Sequence, residues 1–179
     1  MSSEEGAPLK LILSEAGLFV EDASEAQKLH SSSYFGEYVA DKLRLTGVEA
    51  LYLLERGKAR VFDEGGRELS FEELVKRLSE KRPKLWLEYL IYSDLRRRGY
   101  IVKEGFSDRV EFRVYRRGAK VGEEGAKFLV YGVPEGEPLN LNELYEMVKT
   151  ARSLRKEPVL AIVNTQGEVC YYAVSLVTL

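Results

Sequence analysis

The sequence predicts an α/β (α+β) protein made of two small domains. Apolar segments of strand length alternate with helical patterns along the 179 residues, and Pro83 marks a break between the two halves. Capping signals at the starts of the helical segments support the same division. We therefore expect a first domain over residues 1–82 and a second domain over residues 83–179.

The first domain begins with a predicted hairpin, whose strands cover residues 9–13 and 18–21. Thr46 and Glu49 have the spacing of a capping box, and Gly57 follows where a helix commonly ends in a left-handed residue. These positions predict a helix between them. The further elements expected here are a strand over 59–62 and a helix that opens with Ser70 and Glu73 and runs to about residue 80.

The second domain begins with a helical pattern of about 14 residues that starts at Leu85 and ends before Gly99. Asn140 and Glu143 cap a second helix. Its predicted apolar face consists of Leu141, Leu144, Tyr145, Val148 and Ala151. The predicted strands cover residues 100–103, 110–115, 127–133, 158–163 and 169–177, the last two forming a hairpin.

Charge is distributed unevenly along the chain. The formal net charge is −2, but nine Lys and Arg residues lie between Arg96 and Lys120. Only three acids, Glu104, Asp108 and Glu111, oppose them in that segment. A local excess of positive charge of this kind favours contact with phosphate groups. The high charged fraction, 31%, also suggests a thermophilic source.

Several classes of function are disfavoured by composition. The single cysteine, Cys170, forms no internal disulfide and is expected in the core. The single histidine, His30, argues against His-rich metal sites and most Ser/His or Cys/His catalysis, unless a partner chain supplies the missing groups. No phosphate-binding glycine loop occurs. We expect no metal and no cofactor. The lack of a membrane span and of a signal segment predicts a cytoplasmic protein without a membrane partner.

One segment combines a tyrosine with arginines. Strand alternation places Tyr115 at the end of a strand, facing away from the core, beside Arg113, Arg116 and Arg117. Arginines at this position can bind phosphate and favour the phenolate. An exposed cluster of this type is nevertheless more often ordinary surface than a site.

A second basic group follows the last predicted helix. Lys149, Arg152 and Lys156 lie near its C-terminal end, where the helix dipole favours cations. This dipole is a sufficient structural reason for their presence. The alternative is that Lys156 reaches towards Tyr115 across the sheet, which the sequence alone leaves open.

These residues occur within a pattern that resembles the archaeal tRNA-splicing (tRNA-intron) endonuclease family. The pattern consists of "YLIYSDLRRRGYIVKEG", "FRVYRRGA", "ARSLRKEPVLAIV" and "GEVCYYAV" in that order, and it covers residues 84–179. Upstream, "GVEALYLLERGKARV" and "LSFEEL" resemble the N-terminal domain of that family. The resemblance implies a restriction-endonuclease-like C-terminal domain with a mixed sheet.

The resemblance also implies a function. Members of this family assemble into oligomers and cut precursor tRNA at bulge-helix-bulge junctions, leaving 2′,3′-cyclic phosphate and 5′-hydroxyl ends without a metal. Their triad is a tyrosine general base, a histidine general acid and a lysine that stabilises the transition state. Carried over residue by residue, the tyrosine falls on Tyr115 and the lysine on Lys156, whereas the histidine position is Gly125.

Two further departures accompany this glycine. The glycine- and lysine-containing run that precedes the tyrosine strand in the family is altered between Gly105 and Glu111, and the acidic loop of the family retains only Glu168. The leading hypothesis is therefore a structural subunit paired with a second endonuclease subunit, or with itself, as a dimer or heterotetramer. The alternatives are the catalytic subunit with its histidine replaced, and an RNA-binding module that does not cleave.

Overall fold

The computed structural model describes residues 6–107 and 109–179, so Asp108 of the basic segment lies outside the described residues. The chain divides into two compact units, the first ending at Trp86 and the second formed by Leu87–Leu179. Each unit contains one mixed β-sheet with helices. The predicted α/β class is thereby confirmed.

The first unit contains a six-stranded sheet with the strand order β3-β4-β2-β1-β5-β6. The β1–β2 hairpin is antiparallel as predicted, and β1 also pairs with β5 in parallel. The strands are β1 (Leu9–Ser14), β2 (Gly17–Val20), β3 (Glu37–Val39), β4 (Lys42–Leu45), β5 (Ala59–Asp63) and β6 (Glu68–Leu69), and the helices are α1 (Ala23–Ser33), α2 (Gly47–Glu55) and α3 (Phe71–Ser79).

The helices of the first unit begin at capping side chains. Both predicted capping boxes are confirmed. At the start of α2, the Thr46 hydroxyl accepts a hydrogen bond from the Glu49 amide, and the Glu49 carboxylate accepts one from the Thr46 amide at 2.8 Å. Ser70 and Glu73 form the same pair of bonds at the start of α3. Helix α1 was not predicted. Its start nevertheless carries a cap, since the Asp22 carboxylate accepts from the Glu25 amide at 2.8 Å.

The second unit contains a five-stranded sheet with the order β11-β10-β9-β8-β7. Strand β8 is antiparallel to both of its neighbours, β7 and β9, whereas β9 and β10 are parallel and β11 returns antiparallel to β10. The strands are β7 (Ile101–Ser107), β8 (Val110–Tyr115), β9 (Phe128–Pro134), β10 (Glu157–Val163) and β11 (Val169–Ala173), and the helices are α4 (Leu85–Arg97) and α5 (Leu141–Ser153).

Helices α4 and α5 cover opposite faces of this sheet. A Cβ atom at Gly132 of β9 would point at Ile91 of α4, whereas the hydroxyl of the adjacent Tyr131 donates to the carbonyl oxygen of Met147 in α5. Successive residues of a strand point to opposite faces, so the two contacts identify the two layers. Beneath α5, the buried cluster consists of Val110, Leu129, Tyr131 and Ala151.

Three expectations for this unit were wrong. Leu141 is 80% exposed and Tyr145 is 50% exposed, because Met147 packs against the buried cluster of the sheet beside Ala151. Val148 and Ala151, also on the predicted face, are buried as expected. Strand β11 ends at Ala173 rather than at residue 177. Cys170 is exposed rather than buried, because β11 is the outermost strand of the sheet.

Candidate active site

Tyr115 is the last residue of β8, and its environment differs from the prediction. It is 7% exposed, so the expectation of an outward-facing, exposed phenol was wrong. The reason is that β8 lies inside the sheet between β7 and β9 and is buried on both faces, including Glu111 and Phe112. Alternation of side chains along a strand predicts an exposed face only where one face of the sheet is in contact with water.

The strand register brings Tyr115 and Lys156 to the same end of the sheet. Val114 pairs with Phe128 on β9, and Phe128 pairs with Glu157 on β10. Beyond these pairs, the Lys127 amide donates to the Val114 carbonyl oxygen at 2.9 Å, and the Glu157 amide donates to the Lys127 carbonyl oxygen at 2.9 Å. Tyr115 and Lys156 therefore lie on either side of Lys127, although 40 residues of chain separate them.

Lys156 lies directly beside position 125. Its Nζ donates to the carbonyl oxygen of Ala126 at 2.5 Å, and a Cβ atom built on Gly125 would lie 3.7 Å from that Nζ. The backbone of Lys156 is held against the end of α5, since its amide donates to the Ala151 carbonyl oxygen at 2.8 Å. A side chain at position 125 would therefore contact the ammonium group at ordinary van der Waals distance.

The loop between β8 and β9 presents Gly125 to solvent. Its middle is a tight turn in which the amides of Glu123 and Glu124 donate to the Lys120 carbonyl oxygen. Ala119 and Ala126 are buried and anchor the loop, whereas Gly125 is exposed. Gly125 does not adopt a positive φ, so the backbone there accepts any L-amino acid.

The arginines near Tyr115 contact neutral groups. The Nε of Arg113 donates to the Glu104 carbonyl oxygen at 2.9 Å, and the guanidinium of Arg117 lies 5.4 Å from the centre of the Tyr100 ring. Arg116 is exposed. Neutral partners orient these guanidinium groups without cancelling their charge.

The remaining predicted RNA-binding residues belong to α5. Lys149 lies 3.9 Å from the Glu146 carboxylate and 5.9 Å from the centre of the Tyr145 ring, and it is exposed. Arg152 is exposed in the last turn, one residue beyond the buried Ala151. The structure places this pair on the helix that leads to Lys156.

Comparison with known proteins identifies the family of this chain. The family model for the tRNA intron endonuclease catalytic C-terminal domain matches residues 85–171, and the model for the N-terminal domain matches residues 5–75. The tRNA-splicing endonuclease of Thermococcus onnurineus is 41% identical over 95% of this chain and 97% of its own length. The chain belongs to the tRNA intron endonuclease family.

Other members of the tRNA intron endonuclease family agree in length as well as in sequence. The tRNA-splicing endonuclease of Thermococcus kodakarensis is 43% identical over 92% of this chain and 96% of its own length. That of Methanothermobacter thermautotrophicus is 36% identical over 87% of this chain and 89% of its own length. The match to the catalytic domain of the family contains Tyr115, Gly125 and Lys156.

A polar cluster that the sequence did not indicate lies within the same matched domain of this family member. The Tyr171 hydroxyl on β11 donates to Asp94 Oδ2 on α4 at 2.7 Å, and the Arg98 Nε donates to the same oxygen at 2.8 Å. Burial, followed by the hydrogen bond to Asp94, raises the pKa of Tyr171 well above its usual range. Only the Asp94–Arg98 spacing is visible in sequence, since Asp94 and Tyr171 lie 77 positions apart.

Other site types receive no support from the described part of this endonuclease family member. Within residues 6–107 and 109–179, no three or more His, Cys, Asp or Glu side chains are grouped as metal ligands would be. His30 lies in the first unit, where its Nδ1 is 3.0 Å from the Phe35 carbonyl oxygen and its ring meets Tyr38 edge to face. Among the same described residues, no helix has the length and apolar character needed to cross a membrane.

Proposed function

We propose that this chain is the structural subunit of a heteromeric tRNA-splicing endonuclease that cuts precursor tRNA at bulge-helix-bulge junctions. The observation that carries the proposal is the pairing of Gly125 with Lys156, whose Nζ would lie 3.7 Å from a Cβ atom at position 125. The residue that adjoins the lysine is thus one without a side chain. A partner subunit supplies the complete triad in this proposal.

The chemistry explains why the glycine matters. Attack of a ribose 2′-hydroxyl on the adjacent phosphate needs a base for the hydroxyl proton, a cation for the charge that develops on phosphate, and an acid for the leaving 5′-oxygen. The phenol of Tyr115 and the ammonium group of Lys156 are the chemical types that the first two roles require. Gly125 has no proton to donate, and loss of a general acid typically lowers the rate about 10²- to 10⁴-fold.

The burial of Tyr115 also favours a structural role. A general base must come within hydrogen-bonding distance of the proton that it removes. Tyr115 is 7% exposed, so access of a ribose to its phenol is restricted. Two of the three proposed catalytic positions in this chain are therefore unfavourable for cleavage.

The cations around the site are suited to binding RNA. Arg113 and Arg117 have a backbone carbonyl oxygen and an aromatic ring as partners, and Arg116 is exposed. Lys149 and Arg152 extend this group along α5. Phosphate contacts from such side chains provide most of the sequence-independent affinity of nucleic-acid-binding proteins.

The proposed partner surface is the outer edge of β11. This strand pairs with β10 on one side and forms the end of the sheet on the other. Tyr172 is 56% exposed, and Leu176 and Val177 beyond the strand are 44% and 77% exposed. An exposed apolar edge strand is a favourable place for pairing with another chain, here a second endonuclease subunit or a second copy.

The test is cleavage of a bulge-helix-bulge RNA by the purified chain alone and after mixing with the candidate catalytic subunit from the same source. We expect little cleavage by the lone chain and efficient cleavage by the mixture. Size-exclusion chromatography with light scattering should show a mixed complex. Cleavage by the partner alone is measured under the same conditions, so that its own activity is subtracted from that of the mixture.

The control for the role of this chain is the same mixture with Lys156→Ala. If this chain is the structural subunit, the mixture should still cleave the RNA, because the lysine of the partner subunit stabilises the transition state. Robust cleavage by the lone wild-type chain would overturn the assignment and identify this chain as the catalytic subunit.

A further inference from the structure

The two faces of the six-stranded sheet in the first unit differ in their cover. Helix α1 contacts β2 and β4, α2 contacts β5, and α3 packs on α2. The strand residues on this side are buried, as the register-matched Leu11, Val61 and Leu69 show. Successive residues of a strand point to opposite sides, so Ile12 and Phe62 point to the other side, which we call the open face. We infer that the open face is the contact surface for a second copy of this chain, with the two sheets packed face to face.

A row of five register-matched residues crosses the open face. Ile12 on the central strand β1 lies opposite Phe19 of β2 on one side and Phe62 of β5 on the other. The next residues outward are Arg44 of β4 and Glu68 of β6. The row therefore has an apolar centre, a cation at one end and an anion at the other.

The apolar centre of this row departs from the usual pattern of a sheet face in contact with water. Such a face carries polar side chains, which alternate with the apolar side chains of the core side. Here Ile12, Phe19 and Phe62 lie side by side on three neighbouring strands, and each is half-buried. Contiguous apolar groups inside a polar border are typical of the centre of a protein–protein interface.

Long cationic side chains border the apolar centre. The Nζ of Lys10 lies 5.4 Å from the centre of the Phe62 ring, and the guanidinium carbon of Arg60 lies 5.3 Å from it. The stem of Arg44 runs over the start of β2, since a Cβ atom on Gly17 would lie 3.2 Å from the Cδ of Arg44. These stems widen the apolar area while the charged groups stay at its border.

Charge complementarity identifies a second copy of the chain as the occupant. A two-fold axis that runs parallel to the strands past β1 exchanges β2 with β5 and β4 with β6. Phe19 then faces Phe62 of the second copy, and Ile12 faces its own counterpart. Arg44 faces Glu68 of the second copy, and the symmetry forms this contact twice. A two-fold axis along the row would instead place each charge against its own counterpart, which disfavours that arrangement.

The neighbouring charges agree with the same axis. Glu21 directly follows β2 and Arg60 belongs to β5, so the axis brings each towards the other residue in the second copy. The two Lys10 ammonium groups meet near the axis, but each lies 3.0 Å from Glu21 of its own chain. Within residues 6–107 and 109–179, Arg44 takes part in no ion pair. The Glu68 carboxylate accepts from Arg60 and retains lone pairs for a second guanidinium group.

The size of the open face sets the expected affinity. It offers fewer side chains than the roughly 20 to 30 that each partner contributes to a standard interface. We therefore expect a dissociation constant in the micromolar range. This contact is additional to the β11 edge, and it does not rest on the proposed function.

The test is sedimentation equilibrium of the full-length chain from the low micromolar to the low millimolar range. The average mass should at least double across the series, whether the smallest species is a single chain or a pair joined through β11. Ile12→Lys should abolish this rise, because it places two further like charges at the axis. Phe19→Ala should raise Kd about 10- to 100-fold, since the symmetry removes the ring twice.

The matched control is Tyr38→Ala. Tyr38 is 45% exposed on the same sheet, but its ring meets His30 of α1 and therefore lies on the side of the helices. Its truncation should leave the Kd for self-association unchanged. The free energy of unfolding of every variant shows whether a change in mass reflects a loss of fold.

Exchange of charges tests the proposed axis. Arg44→Glu and Glu68→Arg should each raise Kd by at least about tenfold, because like charges then face each other twice. An equimolar mixture of these two variants should associate about as tightly as wild type, since each new charge faces its opposite in the other variant. A residue that acts only within its own chain would not be rescued by mixing.

Three results would overturn the inference. The first is a constant mass throughout the series. The second is self-association that Ile12→Lys and the charge variants leave unchanged, because the copies would then meet at another surface. The third is weaker binding of the catalytic partner by Ile12→Lys without any change in self-association, because the open face would then bind a different protein. Each of these results leaves the endonuclease assignment intact.

Discussion

Arg60 in the first unit forms an ion pair with Glu68, whereas Arg113 in the second unit donates to a backbone carbonyl oxygen. Lys156 likewise donates to the carbonyl oxygen of Ala126. The hydrogen bond from Arg60 lowers the pKa of Glu68, which favours the ionised carboxylate. The positive charge of Arg60 is therefore offset by the negative charge of its partner. A cation held by a neutral group keeps its full charge for a phosphate.

This difference shows why total charge is a poor guide to RNA binding in this chain. The formal net charge is only −2. What distinguishes the candidate site is that Arg113, Arg117 and Lys156 are oriented by neutral partners. Substitutions in the two units test this contrast, beginning with the packing on which the second unit's site depends.

The largest expected effect is on the free energy of unfolding. Leu129 is fully buried on β9, two residues from Lys127, between β8, which ends at Tyr115, and β10, which begins directly after Lys156. Leu129→Ala should lower the free energy of unfolding by about 2–5 kcal/mol, because it leaves a cavity in the core. Denaturant titration followed by circular dichroism measures this change.

The control for that experiment is Leu141→Ala. Leu141 is 80% exposed on α5, so its truncation should change the free energy of unfolding by less than about 0.5 kcal/mol. Equal losses in the two variants would show that Leu141 packs in the core, as the sequence predicted, and would contradict its exposure on α5.

The next effect concerns RNA affinity and compares the two units directly. Replacing Arg116 and Arg117 by Gln should reduce the slope of log Kd against log salt concentration by about 0.7 to 0.9 for each phosphate that is no longer neutralised. The matched pair in the first unit is Arg60→Gln with Arg67→Gln, whose partners are Glu68 and Glu73. That double variant should leave the slope unchanged.

Equal slopes for the two double variants would remove the contrast between the units. Binding is measured with the bulge-helix-bulge RNA over a series of salt concentrations. The free energy of unfolding of each variant provides the check that altered affinity does not reflect a loss of fold.

The smallest effect concerns alkaline pH. The pKa of Tyr171 is raised in the folded state, by burial and then by Asp94, whereas an unfolded tyrosine loses its proton near about pH 10. The stabilisation from this phenol is complete below that pH and is lost as pH rises above it, because the unfolded state then releases a proton that the folded state keeps.

Tyr171→Phe should therefore make the free energy of unfolding fall less steeply above about pH 10. Urea titrations at a series of pH values measure that slope. Tyr172→Phe on the same strand is the control, since Tyr172 is 56% exposed. An unchanged slope for Tyr171→Phe would contradict a partly buried phenol that stays neutral beside Asp94.

Local signals predicted the parts of the fold that local interactions determine. The capping boxes at Thr46 and Ser70 identified α2 and α3, because the bonds that begin these helices join residues three positions apart. Helix α1 carries a similar signal, in which Asp22 caps the Glu25 amide, and it was overlooked. Its weakly apolar sequence gave no strong helical periodicity.

The features that sequence did not predict depend on contacts distant in the chain. Tyr115 was expected on an exposed face, but its burial depends on β7 and β9 flanking β8 and on coverage of both faces. The proximity of Lys156 to Gly125 requires the parallel pairing of β9 with β10. The resemblance to a known family indicated both positions, but strand spacing alone did not place them together.

The measurement that tests the structural-subunit assignment most directly is single-turnover cleavage of a bulge-helix-bulge RNA by the lone chain carrying Gly125→His, beside wild type and Gly125→Ala. The space at position 125 accepts a side chain, since, among the described residues, its Cβ atom meets only the Lys156 ammonium group, at 3.7 Å. With Tyr115 buried, we predict a gain in rate below about tenfold from the added imidazole. A gain of about 10²- to 10⁴-fold for Gly125→His, and none for Gly125→Ala, would contradict this assignment and identify a catalytic subunit that lacks one group.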